Sequence, residues 1–150
     1  IVKNDSFAKK WIGTAVEKYK KLDSMFETEL LHGDLRYSNI VMWHDKEHII
    51  DPLGVNAPQI MECTRYIEDD IFTADNFADF RNRVLLLRNL FGDVGIDTTH
   101  MIDAIFIDSV LRTTSSILLG ENEQIINRGK LNAVWLLELA EERNSEDMLC

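Results

Sequence analysis

The sequence predicts a mainly helical single domain that carries one small β-hairpin, and three observations predict it. Apolar residues recur at helical spacing from Phe7 to Phe26 and again from Phe80 to Leu139. Between these blocks, Val41-Met42-Trp43 and His48-Ile49-Ile50 are short, partly β-branched runs. The polar His44-Asp45-Lys46-Glu47 joins them, a pattern that suits a hairpin with a four-residue connection. The chain has 150 residues and is 45% apolar, enough to bury one core, so a single domain over 1–150 is expected.

Taken in order, Asn4, Asp5 or Ser6 is placed to cap the first helix. Its stripe is Phe7, Ala8, Trp11, Ile12, Ala15, Val16, Tyr19, Leu22, Met25 and Phe26, with Lys9, Lys10, Lys18, Lys20 and Lys21 mostly on a solvated outer face. Residues 1–28 read as a packing helix that supports the loop beyond it, and Glu29-Leu30-Leu31 leads into that loop. After the hairpin, Val55-Asn56-Ala57-Pro58 reads as a loop. A helix over 78–91 carries Phe80, Val84, Leu85, Leu87 and Leu90 and ends at Gly92. Asp97, Thr98 or Thr99 caps the next, which carries Met101, Ile102, Ile105, Phe106, Val110, Leu111, Ile117 and Leu118 before Gly120. A last helical region holds Ile125, Ile126, Leu131, Val134, Trp135, Leu137 and Leu139, with a break near Gly129, and the charged 141–147 tail should fray.

Composition removes several function classes. The 26 acidic and 16 basic residues give a net charge of −10, which disfavours nucleic acid, because phosphate binding needs a basic face. Acidity is compatible with a cationic ligand but needs none, since solubility alone explains the sign. No apolar run is long enough to span a bilayer, and nothing at Ile1-Val2-Lys3-Asn4 resembles a signal peptide. Cys63 and Cys150 have neither metal-ligand spacing nor the number for a disulfide framework, so a reducing cytoplasm is the expected setting.

The chemistry concentrates between Leu30 and Gly54. If the hairpin forms, its first strand starts just after Asn39 and its second ends just before Asp51. Antiparallel pairing then brings Asn39 and Asp51 to one edge. Pro52 should push Asp51 into an extended conformation. A carboxylate and an amide oxygen presented together suit Mg²⁺ bridged to phosphate oxygens. Asp34, five residues before Asn39, is placed to receive a proton from a hydroxyl nucleophile.

The spacing His32-x-Asp34-x-x-x-x-Asn39 followed by Asp51 resembles the catalytic and metal loops of kinase-like phosphotransferases. The wording His32-Gly33-Asp34-Leu35, then Ile50-Asp51-Pro52-Leu53-Gly54, resembles the aminoglycoside phosphotransferases, within them the streptomycin and hydroxyurea phosphotransferase branch. Asn132-Ala133-Val134-Trp135 loosely resembles the end of that branch. Gly33, where protein kinases usually carry arginine, favours a small-molecule kinase. The resemblance implies a kinase-like C-terminal (large) lobe, with ATP or another nucleoside triphosphate and Mg²⁺ as cofactors. It implies Asp34 as the catalytic base, Asn39 and Asp51 as metal ligands, and a small-molecule hydroxyl acceptor, cationic in the aminoglycoside case, that no residue identifies.

By the same resemblance, Arg36 faces the transferring phosphate; a surface arginine paired with an acid is the competing reading. His32 and Glu62 would brace the catalytic loop through hydrogen bonds. The chain keeps Pro58 and Glu62 of the family's next segment but lacks its Gly-Asp before the proline. No Gly-x-Gly-x-x-Gly loop and no strand with Ala-x-Lys precedes Asp34, so the N-terminal nucleotide-binding lobe is absent from this chain. Two rival classes stand beside this antibiotic-kinase reading. One is a non-catalytic kinase-like binding module; the other is a metal-dependent hydrolase using His32, Asp34, His44 and His48.

Overall fold

The computed structural model describes residues 6–147, and Asn4, Asp5 and Cys150 lie outside them, as do the side chains of Ala8 and of residues beyond Glu142. The described chain is mainly helical, as its periodicity predicts. In order it forms α1 (Ser6–Met25), β1 (Thr28–Leu31), β2 (Ile40–Trp43), β3 (Lys46–Ile49), β4 (Val55–Pro58), α2 (Glu62–Ile71), α3 (Phe77–Asp93), α4 (Met101–Leu119) and α5 (Glu123–Asp147). Short 3₁₀ turns at Tyr37–Asn39 and Gln59–Met61 lead into β2 and α2.

The core is organised around α4. Met101, Ala104, Ile105, Phe106, Ile107 and Val110 are all buried, and this helix packs against α1, α2 and α5. A helix apolar on most of its circumference belongs in the middle of a bundle. Trp11 of α1 meets Phe106 edge-on, with ring centroids 6.0 Å apart, and Lys18 of α1 pairs with Asp103 of α4. On the other side α5 comes close at Gly129, where an added Cβ would lie 3.2 Å from the Thr113 Cβ. That is why α5 runs through Gly129 unbroken: the glycine is a contact point between helices, not a helix end. The charged tail likewise stays helical to Asp147, with Glu142 held by Arg81 of α3 at 3.0 Å.

Other boundaries differ for local reasons. Asn76 caps α3 by accepting a hydrogen bond from the Asp79 N–H at 3.1 Å. None of Asp97, Thr98 and Thr99 caps α4. Its N-cap is His100, without a side-chain bond, while Asp97 accepts from the Thr99 N–H inside the preceding turn. The helical stripes also overcount the core: Ile12, Val16, Met25, Leu90, Leu111, Leu118, Ile125, Leu131 and Val134 are exposed.

The hairpin forms with a two-residue connection instead of four. Ile40 pairs with Ile49 and Trp43 with Lys46. His44 and Asp45 both take positive φ, 49° and 59°, which a tight turn matched to strand twist requires. A second two-stranded sheet pairs β1 with β4, Thr28 opposite Pro58 and Leu31 opposite Val55, where the sequence reads as lead-in and loop. No described helix is long and apolar enough to cross a membrane.

Candidate active site

The two small sheets frame the loop from His32 to Asn39. Leaving β1, the chain reverses at Gly33, whose φ is +79° and whose missing Cβ would sit 2.7 Å from Val55 Cγ2. Only glycine meets both demands without strain. Glu62, at the start of α2, accepts hydrogen bonds from the backbone N–H groups of His32 at 2.6 Å and Gly33 at 3.1 Å. His32 then ties three segments together. Its Nε2 donates to the Ile50 carbonyl at 2.8 Å, its Nδ1 accepts from the Asp34 N–H at 3.3 Å, and its own carbonyl accepts from Leu53 and Gly54.

Asp34 is partly buried beneath this frame. Asn39 Nδ2 donates to the Asp34 carbonyl at 2.8 Å and to its Oδ2 at 3.2 Å. With the amide so oriented, Asn39 Oδ1 accepts only from the Ser38 hydroxyl, at 3.4 Å, and its second lone pair has no donor among the described residues. Arg36 Nη2 stands 3.1 Å from Asp34 Oδ1, so the acid it pairs with is Asp34 itself.

The Ile50 N–H donates to the Asn39 carbonyl at 2.9 Å, closing the hairpin one residue before Asp51. Asn39 and Asp51 therefore belong to the same end of the hairpin. Asp51 is not extended as the following proline predicts; its φ is 57°. The segment is pinned on both sides, at Ile50 to Asn39 and at Leu53 and Gly54 to His32, and must turn sharply between. Aspartate tolerates that left-handed conformation better than most side chains. Asn39 is the buried wall of the hairpin end and Asp51 its exposed rim.

His44 and His48 lie along Trp43, at ring-centroid distances of 5.4 and 6.0 Å, toward the turn and away from His32. Among the described residues no group of three or more His, Cys, Asp or Glu side chains is arranged to hold a metal. The hydrolase reading thus lacks its converging ligands. A divalent ion at Asn39 and Asp51 would fill its remaining positions with phosphate oxygens and water, which is how Mg²⁺ is commonly held. Cys63 is buried and its thiol is pushed up to about 12, first by burial and then by Glu62, so it is no nucleophile.

Behind Asp34 lies a charged network between α2 and α4. Arg65 Nε stands 4.0 Å from Asp34 Oδ1 and 3.5 Å from Asp108 Oδ2, an oxygen that accepts no hydrogen bond. Glu68, buried, takes hydrogen bonds from the Ser109 hydroxyl at 2.6 Å and Arg112 Nη1 at 2.7 Å. Arg36, Arg65, Glu68, Asp69, Arg112, Ser115, Ser116 and Glu121 line a cleft of about 610 Å³ beside the loop. Of the six acids near enough in sequence to serve an amine, Glu62 is committed to the loop, Asp103 to Lys18, Glu68 to Ser109 and Arg112, and Asp108 to Arg65, while Asp70 lies 3.8 Å from Arg83; Asp69 lines the cleft, 3.6 Å from Arg112. Arg65 and Arg112 are absent from any motif. The readable signal was Asp108, a carboxylate on the same helical stripe as Met101, Ala104 and Ile105.

Burial, then the Asp108 charge, pushes Glu68 up to about 7, and burial also raises Asp108. Between the ordinary value and the raised one, the folded chain keeps protons that the unfolded chain has released. Stability contributed by the pair therefore falls as pH rises from about 4.5 to about 7. The urea midpoint is expected to fall between pH 5 and pH 7.5, and Glu68→Gln to flatten that fall. A rising midpoint over the same range would contradict the assignment.

No family model, curated protein or solved structure matches this chain.

Proposed function

We propose that the chain is the large lobe of an ATP- and Mg²⁺-dependent small-molecule O-phosphotransferase of the aminoglycoside and hydroxyurea kinase type. The observation that carries the reading is the braced loop. Asp34 and Asn39 are hydrogen-bonded to each other at 3.2 Å, with Asp51 at the same end of the hairpin. The spacing of the His32–Asn39 motif and the Asp51-Pro52-Leu53-Gly54 segment supports it from the sequence.

In this reading the acceptor lies in the cleft with a hydroxyl toward Asp34. Asp34 orients that hydroxyl and takes its proton as the new oxygen–phosphorus bond forms and the β–γ bridge of ATP breaks, releasing ADP. Arg36 exchanges Asp34 for the transferring phosphate and neutralises its charge. Asn39 Oδ1 and Asp51 would hold Mg²⁺, which when bound would supply charge neutralisation at the nucleotide phosphates. The rest is positioning, and His32 and Glu62 supply it by fixing the loop backbone. One observation favours the non-catalytic alternative: each Asp34 carboxylate oxygen already has a protein partner, Oδ1 in Arg36 at 3.1 Å and Oδ2 in Asn39 at 3.2 Å, as a residue kept for architecture would.

The 150 residues contain no glycine-rich phosphate loop. Alone they are expected to give no useful transfer, because positioning is worth roughly 7–11 kcal/mol of such barriers. The test joins this chain to a glycine-rich, lysine-bearing lobe and assays labelled ATP against aminoglycosides, choline-like amines, sugars and a peptide at two salt concentrations. Transfer to a hydroxylated small molecule supports the reading, and weaker binding at high salt would mark a cationic acceptor. Phosphorylation of the peptide alone, or strong transfer by the isolated chain, would overturn it.

A further inference from the structure

Helix α1 leaves part of its apolar stripe uncovered. Ile12 and Val16, 37% and 45% exposed, form with Ala15, Ile107, Val110 and Leu111 a groove of about 480 Å³ between α1 and α4. Among the described residues, Lys20 is the one charged side chain lining it. Leu111, itself exposed, also lines the polar cleft that contains Arg36 and Arg65, the two arginines beside Asp34. The groove and the cleft thus share a wall. Along α4, Ile107 in the groove and Ser115 in the cleft are about two turns apart, ~12 Å.

We infer that the two cavities bind one amphiphilic acceptor, its hydroxylated head in the cleft and its hydrocarbon part across Leu111 in the groove. The head's phosphorylation rests on the proposed phosphotransferase reading; its binding does not. Two observations favour this occupant. The groove's volume falls in the range of small-molecule sites, about 300–1,000 Å³. A second copy of the chain would bring together two bodies of net charge −10, which opposes self-association. A wholly polar acceptor would leave Ile12, Val16 and Leu111 in water and gain nothing from the groove.

The test titrates the 150-residue chain with methyl, hexyl, octyl and decyl β-D-glucoside below their micelle concentrations, by calorimetry and by NMR of side-chain methyls and backbone amides. Each methylene that enters the groove is expected to tighten binding about fourfold. The octyl and decyl compounds should shift Val16 and Ile107 together with Arg65 and Ser115. Val16→Glu or Ile12→Glu, both at exposed positions, should remove the chain-length dependence while circular dichroism shows the fold unchanged. Equal binding along the series would overturn the inference. So would shifts confined to the groove, or self-association that Val16→Glu abolishes. Any of these leaves the phosphotransferase reading intact; glucoside binding at both cavities without transfer in the assembled enzyme would sink that reading and not the site.

Discussion

Replacing Asp34 with asparagine is expected to cut kcat roughly 10²–10⁴-fold in the assembled enzyme, the range for losing a positioned general base. The loop should survive the change. The Asn39 bond to the Asp34 carbonyl and the two Glu62 bonds to the backbone do not involve the Asp34 carboxylate. The KM for ATP should therefore hardly move, because Asn39 and Asp51 keep their places. The same substitution also frees Arg36 and loosens Arg65, both of which face Asp34 Oδ1. A steady-state comparison of the two proteins checks this. An equal loss in kcat and in nucleotide binding would show that Asp34 is holding the loop together instead of acting on the acceptor.

Removing the Glu62 carboxylate is expected to produce the largest loss of stability from a single residue near the site. Two backbone N–H groups, of His32 and Gly33, would lose their acceptor, at about 1–3 kcal/mol each where water cannot replace it. Glu62→Ala should lower the urea unfolding free energy by about 2–6 kcal/mol. Glu62→Gln, which keeps one acceptor oxygen, should lose less. Amide exchange at His32 and Gly33 should accelerate ahead of the global transition. Unchanged exchange at these two amides in the alanine variant would show that Glu62 does not brace the loop.

How much of this was legible depends on how far apart the interacting residues lie in sequence. The hairpin was visible because its strands carry adjacent apolar runs, although its turn was misjudged. His44 and Asp45 lack the usual glycine for positive φ, so Lys46 and Glu47 read as loop when they are strand. The β1–β4 pairing was invisible, since each strand has four residues and no alternation, and its partner is supplied by chain reversal on both sides of the hairpin. Asp51 misled for a related reason. A local rule about prolines was overridden by hydrogen bonds from Ile50, Leu53 and Gly54 to Asn39 and His32. The Glu68–Ser109–Arg112 and Arg65–Asp108 contacts join helices some forty residues apart, and no short motif encodes them. Likewise the helical stripes named α1, α3, α4 and α5 but missed the ten-residue α2 that carries Glu62, Arg65 and Glu68, and could not say which apolar residues would remain uncovered, as Ile12 and Val16 do.

The most direct test of the central claim is paramagnetic broadening of the chain's amide resonances by Mn²⁺–ATP, a stand-in for the magnesium nucleotide that needs no turnover. Broadening is expected to centre on residues 34–39 and 50–54 and to be lost in Asp51→Ala. Broadening that persists in Asp51→Ala, or that centres on the acids of the cleft, Glu68 and Asp69, would contradict the claim.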